Sequence, residues 1–179
     1  MELYERELNR EYRFEGRIFK IAVCKAELPN GSVVSREVMV HSGGVCILPV
    51  DDEGFGYFVR QYRYGAQKVL LEVPAGKLEY GEQPYSAALR ELSEETGFTS
   101  GNVVPMGIAY SSPAIMTEII HMYLATGLTG GASHPDEDEF LELVRIRLTD
   151  ALRMVYDNEI EDAKTQILIL KAARYLGIN

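Results

Sequence analysis

Apolar and polar positions alternate through the first half of the chain. The segments RIFKIAVCKAEL (17–28) and SVVSREVMV (32–40) are separated by Pro29-Asn30-Gly31, and an Asn-Gly pair supplies the backbone angles that a tight hairpin turn needs. Two antiparallel strands are therefore expected ahead of the main body. GVCILPV (44–50) and GYFVRQY (56–62) flank a second turn at Asp51-Asp52-Glu53-Gly54, and VLLEVPAG (69–76) is a further strand closed by Pro74 and Gly76. Later strands are expected at NVVPMGIAY (102–110), IIHMYLATGL (119–128) and FLELVRIRL (140–148), with a polar loop at TGGASHPDEDE (129–139). Helical signals enter in mid-chain between Pro84 and Gly97 and return at the end. There TDALRMVYD, capped by Thr149 or Asp150, precedes DAKTQILILKAARYLG, which closes at Gly177 with basic residues nearby. An antiparallel or mixed sheet with one mid-chain helix and terminal helices gives an α+β fold rather than a run of βαβ units.

The 179 residues, 46% of them apolar, suffice for one domain or one domain with a small appendage. A formal charge of −9 argues against a grip on nucleic acid, which needs a basic face. Cys24 and Cys46 lie in apolar segments without metal-ligand spacing, so both are expected as buried thiols of a reducing compartment. The N-terminal MELYERELNREYRF is charged throughout and no later run has the length of a membrane span. A soluble, cytoplasmic protein with no membrane or nucleic-acid partner is expected.

Composition leaves the mid-chain helix unexplained. Pro84 suits its first turn, Gly97 the position just past its end, and Ala87, Ala88, Leu89 and Leu92 favour helix between them. At 3.6 residues per turn Glu91, Glu94 and Glu95 share one side, while Tyr85, Ala88, Leu89 and Leu92 share another. A merely solvated acidic face explains poorly why acids gather at spacings where like charges repel. A divalent ion removes the conflict, and an oxygen-rich site suits Mg²⁺ or Mn²⁺ working with substrate phosphates. Arg90 pairs with Glu82 or Glu94 and fixes the geometry of the group.

Gly76, five residues, Glu82, seven residues, then Arg90-Glu91-Leu92-Ser93-Glu94-Glu95-Thr96-Gly97-Phe98 resembles the Nudix box at every defining position. The resemblance implies an α/β/α sandwich with a mixed β-sheet and an N-terminal antiparallel β-hairpin extension. It divides the chain into residues 1–42, for dimerisation and substrate contacts, and 43–179, the hydrolase domain. It implies hydrolysis of a nucleoside diphosphate linked to another moiety, with Mg²⁺ or Mn²⁺ held mainly by Glu91 and Glu95, assisted by Glu94 and with Ala75 in the same set. Gly76, Glu82, Arg90 and Gly97 are then structural members of the box.

VRQYRYG (59–65), LEVPAGKLE (71–79), DAKT (162–165) and Pro113, 16 positions beyond Gly97, are similar to the ADP-ribose pyrophosphatase branch. SSPAIMTE departs from that branch's Ser-Pro-Gly at Ala114. By position, Arg36 and Arg63 resemble pyrophosphate-contacting arginines, a role that suits a guanidinium fork. Glu72 resembles a substrate-proximal acid, and Arg17 and Ile18 the adenine-contacting segment. The branch also takes a catalytic glutamate from the acidic loop. Glu139 is the best positional match, Glu137 the next, and Glu94 and Glu118 are further catalytic candidates. His41, His121 and His134 have no spacing that suggests a site. The resemblance implies a homodimer in which the N-terminal strands of one subunit help build the other's pocket. The reading is cleavage of ADP-ribose to AMP and ribose 5-phosphate. Its alternatives are another nucleoside diphosphate sugar such as GDP-mannose, and a non-catalytic nucleotide-sensing module.

Overall fold

The computed structural model describes residues 3–130 and 140–178. Its elements in chain order are β1 (Arg6–Glu15), β2 (Phe19–Glu27), β3 (Val33–His41), β4 (Gly44–Pro49), β5 (Phe55–Arg63), β6 (Lys68–Glu72), β7 (Ala75–Lys77), α1 (Pro84–Thr96), β8 (Thr99–Tyr110), β9 (Ile119–Thr129), β10 (Leu141–Arg147), α2 (Leu148–Tyr156) and α3 (Ala163–Leu176). They fall into two compact units, one of residues up to Gly43 with Tyr110–Ile119, the other of Gly44–Ala109 with Ile120 onward.

In the first unit the expected hairpin forms, with Gly31 at φ +81° and Leu28 and Ser32 joined across the turn at 2.8 Å. It carries a third strand that the sequence pattern did not predict, giving an antiparallel sheet in the order β1-β2-β3. Every residue of β1 is exposed, so burial leaves no alternation to read in it. Charge holds its register instead. Arg6 stands opposite Glu27 and Glu15 opposite Lys20, and each of these cross-strand couples forms an ion pair. Ala22, Cys24 and Ala26 are the buried positions of β2. The segment 110–119 returns to this unit along β3: Met39 donates its N–H to Ile115 O at 2.7 Å and accepts from Thr117 N at 3.0 Å.

In the second unit a mixed sheet runs β7-β4-β9-β8, with β4 parallel to β9 and antiparallel to β7, beside an antiparallel sheet β10-β5-β6. All of β4 is buried because both of its faces are covered. Val45 and Ile47 pack with Ala87, Ala88 and Leu92 of α1, whereas Cys46 and Leu48 pack with Leu148, Leu152, Leu168 and Ile169 of α2 and α3. Helices on both sides of the sheet make the α/β/α sandwich, and burial pushes the Cys46 thiol up to about 12.

Two expectations are corrected. VLLEVPAG is not one strand: β6 ends at Glu72 in one sheet and β7 begins at Ala75 in the other. Pro74 lacks the N–H that would continue the ladder, and its carbonyl accepts from Ile47 N at 2.9 Å. Helix α2 is capped at Arg147, without a side-chain hydrogen bond, and not by Thr149 or Asp150. Leu148, wholly buried, is thereby brought into the first turn. Among the described residues no helix is long and apolar enough to cross a membrane.

Candidate active site

Helix α1 begins with Pro84 in its first turn and ends at Gly97, which takes φ +72° and returns its N–H to Ser93 O at 2.9 Å. The face turned inward carries Ala88 and Leu92, as expected, and Ala87, which was not expected there, whereas Leu89 is only partly buried and Tyr85 is half exposed. Glu91 and Glu95 are buried with the apolar set, at 7% and 2% exposure. Two carboxylates one turn apart on a buried face are costly unless something offsets their charge.

Arg90 offsets part of it. Its Nε and Nη2 donate to Glu82 at 3.0 and 3.2 Å, and Nη1 donates to Glu91 Oε1 at 2.7 Å and Glu94 Oε2 at 2.8 Å. Of the two partners the sequence offered, it takes both, and Glu91 as well. Glu82 is fixed in turn by the Glu79 N–H at 3.0 Å, and the Arg90 bonds with this N–H hold its carboxyl below the usual range. Its bonds to Glu82, then the charge of Glu91 and the bond to Glu94, raise the Arg90 pKa against the cost of its burial.

Gly76, in β7, lies directly beneath Glu91. A Cβ at this position would stand 1.7 Å from Glu91 Oε1, so only glycine leaves the carboxylate its room. The neighbouring Ala75 donates its N–H to Glu95 Oε2 at 3.3 Å. Box members from β7, the following loop and α1 are thus one group: Ala75, Gly76, Glu82, Arg90, Glu91, Glu94 and Glu95. Among the described residues no three acids, histidines or cysteines stand as a ready-made metal cage, since Glu91 and Glu94 turn to Arg90 and Glu95 to the Ala75 N–H. The donor set still fits a hard divalent cation. It is all oxygen, and three carboxylates on a single guanidinium leave an excess of negative charge.

A second group stands at the end of β6. Glu72 is 1% exposed and receives Arg63 as a two-pronged fork, Nε to Oε1 at 2.7 Å and Nη2 to Oε2 at 2.8 Å. Lys164 also binds Glu72 Oε2, and lies 3.1 Å from Asp162 Oδ1. Burial pushes the Glu72 carboxyl up, but the Arg63 bonds and the Lys164 charge outweigh it and hold it below the usual range. Arg63 is correspondingly raised, first by its bond to Glu72, with the charge of Glu95 also contributing, so this group lies within electrostatic reach of α1. The resemblance carried by DAKT assigned its lysine and threonine no task. Its legible signal was Asp162, which caps α3 by accepting from Thr165 N at 2.9 Å.

The remaining candidates belong to the first unit. Arg17 and Ile18 are exposed between β1 and β2. Arg36 forks onto Glu5 at 3.0 and 2.8 Å, and Glu118 lies 3.4 Å from His41 Nδ1. Glu137 and Glu139, with His134, lie outside the described residues.

Residues 40–167 match the model of the NUDIX domain. The chain is 42% identical over 177 residues to the ADP-ribose pyrophosphatase of Bacillus subtilis (strain 168), covering 96% of each protein. It is 40% identical over 167 residues to the methanol dehydrogenase activator of Bacillus methanolicus, covering 92% of this chain and 90% of the other. Among solved structures, an ADP compounds hydrolase shares the fold with a TM-score of 0.85 at 23% identity, over 99% of this chain and 97% of that one.

Proposed function

The chain belongs to the Nudix family, and on that premise we propose that it is a divalent-metal-dependent pyrophosphatase that hydrolyses ADP-ribose to AMP and ribose 5-phosphate. The observation that carries this reading is the buried pair Glu91 and Glu95, with Gly76 leaving room for a carboxylate and an excess of acid around Arg90. The 42% identity to an ADP-ribose pyrophosphatase over nearly the full chain supports this substrate.

Glu91 and Glu95, with Glu94 and Ala75, would hold Mg²⁺ or Mn²⁺. The chemistry such an ion supplies when bound is charge against the pyrophosphate oxygens and a more acidic water. The protein's own residues bind and orient. Arg90 keeps Glu91 and Glu94 turned to one side, and Gly97 ends α1 within a turn of the last of the acids. Arg63 offers a guanidinium to the pyrophosphate, and Arg36 offers another once it exchanges Glu5 for phosphate. Arg17 and Ile18 contact the adenine. Glu139, or failing it Glu137, takes the proton of the attacking water. Water adds to one phosphorus, the bridging oxygen leaves with the other, and the products are AMP and ribose 5-phosphate.

The enzyme acts as a cytoplasmic homodimer joined through its N-terminal strands. The exposed Leu8, Tyr12 and Phe14 on β1 support the contact, and the free, buried Cys24 and Cys46 support a reducing compartment. Incubation with ADP-ribose, GDP-mannose and other nucleoside diphosphate sugars in Mg²⁺, scored by product identity, tests the assignment. ADP-ribose should give AMP at the highest kcat/KM. Faster turnover of GDP-mannose would transfer the assignment to that sugar, and binding without turnover of any of them would make the chain a sensor.

A further inference from the structure

Glu72, Arg63 and Lys164 differ sharply in access to solvent. The Glu72 side chain is sealed, at 1% exposure, and that of Lys164 is mostly covered, at 14%, whereas Arg63 keeps 41%. Of the three, Arg63 alone is open to a ligand. Its Nε and Nη2 are committed to Glu72, and no described residue accepts from its Nη1. We propose that Lys164 is a positioning residue for pyrophosphate recognition: by holding Glu72 Oε2 it fixes the Arg63 fork with Nη1 free for a phosphate oxygen. The inference deepens the functional reading above and rests on it.

A buried carboxylate with a single partner leaves lone pairs unsatisfied and is free to rock about its terminal torsion. Lys164 removes both faults, and its own place is set independently of Glu72. Thr165, the next residue, accepts the Val73 N–H at 2.9 Å through Oγ1 and donates the same hydroxyl to Asp162 Oδ2 at 2.6 Å. The start of α3 is thereby stapled to the residue that follows Glu72, and Lys164 meets the carboxylate in one register. Charge works in the same direction. Arg63 and Lys164 balance Glu72 and Asp162, and loss of the lysine leaves a net negative group that draws Arg63 inward, where an anionic substrate must be admitted.

The test uses the full chain with Lys164→Met, Lys164→Gln, Lys164→Arg, Arg63→Ala and the Lys164→Met/Arg63→Ala double variant. Steady-state kinetics on ADP-ribose and calorimetric titration with ADP in Mg²⁺ are run beside thermal melts. Lys164→Met should raise KM and weaken ADP binding by about tenfold with kcat within about twofold, the pattern of a contact similar in ground and transition states. Lys164→Gln should do the same should the methionine variant fail to fold. Lys164→Arg should restore most of the affinity. In the Arg63→Ala background the lysine substitution should add almost nothing, because its effect passes through Arg63. A melting temperature that falls with KM and ADP affinity unchanged overturns the proposal, as does a penalty that persists undiminished without Arg63. Parent protein that leaves ADP-ribose intact but binds ADP in a Lys164-dependent way would sink the substrate assignment and leave this inference standing. Parent protein that does not bind ADP overturns the inference as well.

Discussion

Gly76 reads in the sequence as the end of a strand and as a fixed point of a motif. Its physical task emerges only when β7 is laid against α1, because the constraint is the volume of a methyl group 1.7 Å from the Glu91 carboxylate. Gly76→Ala should therefore displace Glu91 and cost activity by about 10²-fold or more while the chain still folds, since the strand itself tolerates alanine. Steady-state kinetics with a Mg²⁺ titration would check this, the half-saturating concentration rising with the loss of rate. Glu91→Gln and Glu95→Gln remove charge without removing volume, and each should abolish most turnover with an unchanged far-ultraviolet dichroism spectrum. A variant that keeps near-normal rate in Mg²⁺ would exclude its residue from the metal set. Glu139→Gln should lower kcat by about 10²- to 10⁴-fold with little change in affinity, and Glu137→Gln much less. The acids of α1 were legible because helical periodicity places them together. Their burial was not, since it depends on strands far away in the chain.

Among the elements, α1 was the easiest to read: a proline opens it, a glycine closes it, and its small and apolar residues face one way. β1 was invisible for the opposite reason. Its register rests on paired charges whose partners lie in another strand, and a strand with every residue exposed offers no pattern of burial. The break between β6 and β7 could have been inferred from Pro74, but not the change of sheet, which needs the ladder of each strand. The start of α3 shows how a local motif acquires a distant role. Asp162 caps the helix by accepting from the Thr165 N–H, and the Thr165 hydroxyl also satisfies the buried Val73 N–H. Thr165→Val should leave that N–H without a partner and remove a donor from Asp162, at a cost of about 1–3 kcal/mol in urea unfolding. Thr165→Ser should recover most of the loss. Equal stability of the valine variant would mean that the Thr165 hydroxyl adds nothing to the tie that packing and the Lys164–Glu72 pair make between β6 and α3.

At the scale of the fold, the residue pattern gave an α+β chain with a mixed or antiparallel sheet. The α/β/α layering came only with the resemblance to the Nudix box, because which faces of β4 the helices cover depends on contacts distant in the chain. The molecule's response to acid follows from where the charges ended up. The Glu72 carboxyl is held below its ordinary 4.5, burial being outweighed by Arg63 and Lys164. Asp51 is also lowered, its burial being outweighed by the Phe55 N–H, Arg145 and Tyr57. As pH falls the unfolded chain takes up these protons first, so the stability they contribute is complete above the unfolded values and drains away through the lower folded ones. Thermal melts should be flat from about pH 7 to pH 5 and drop steeply between about pH 4 and pH 2, with a shallower drop in Glu72→Gln. A Glu72→Gln profile that runs parallel to the parent's would show that the acid response comes from elsewhere. The discontinuity of the first unit has a different reach. Met39 bonds to Ile115 and Thr117, and the His41 N–H to the Thr117 hydroxyl, so β3 finds its last partners more than seventy residues downstream. On the ribosome the three-stranded sheet emerges first and waits with that flank unpaired until residues 110–119 arrive. During translation the chain therefore passes through a period in which an open strand edge is available to any neighbouring nascent copy.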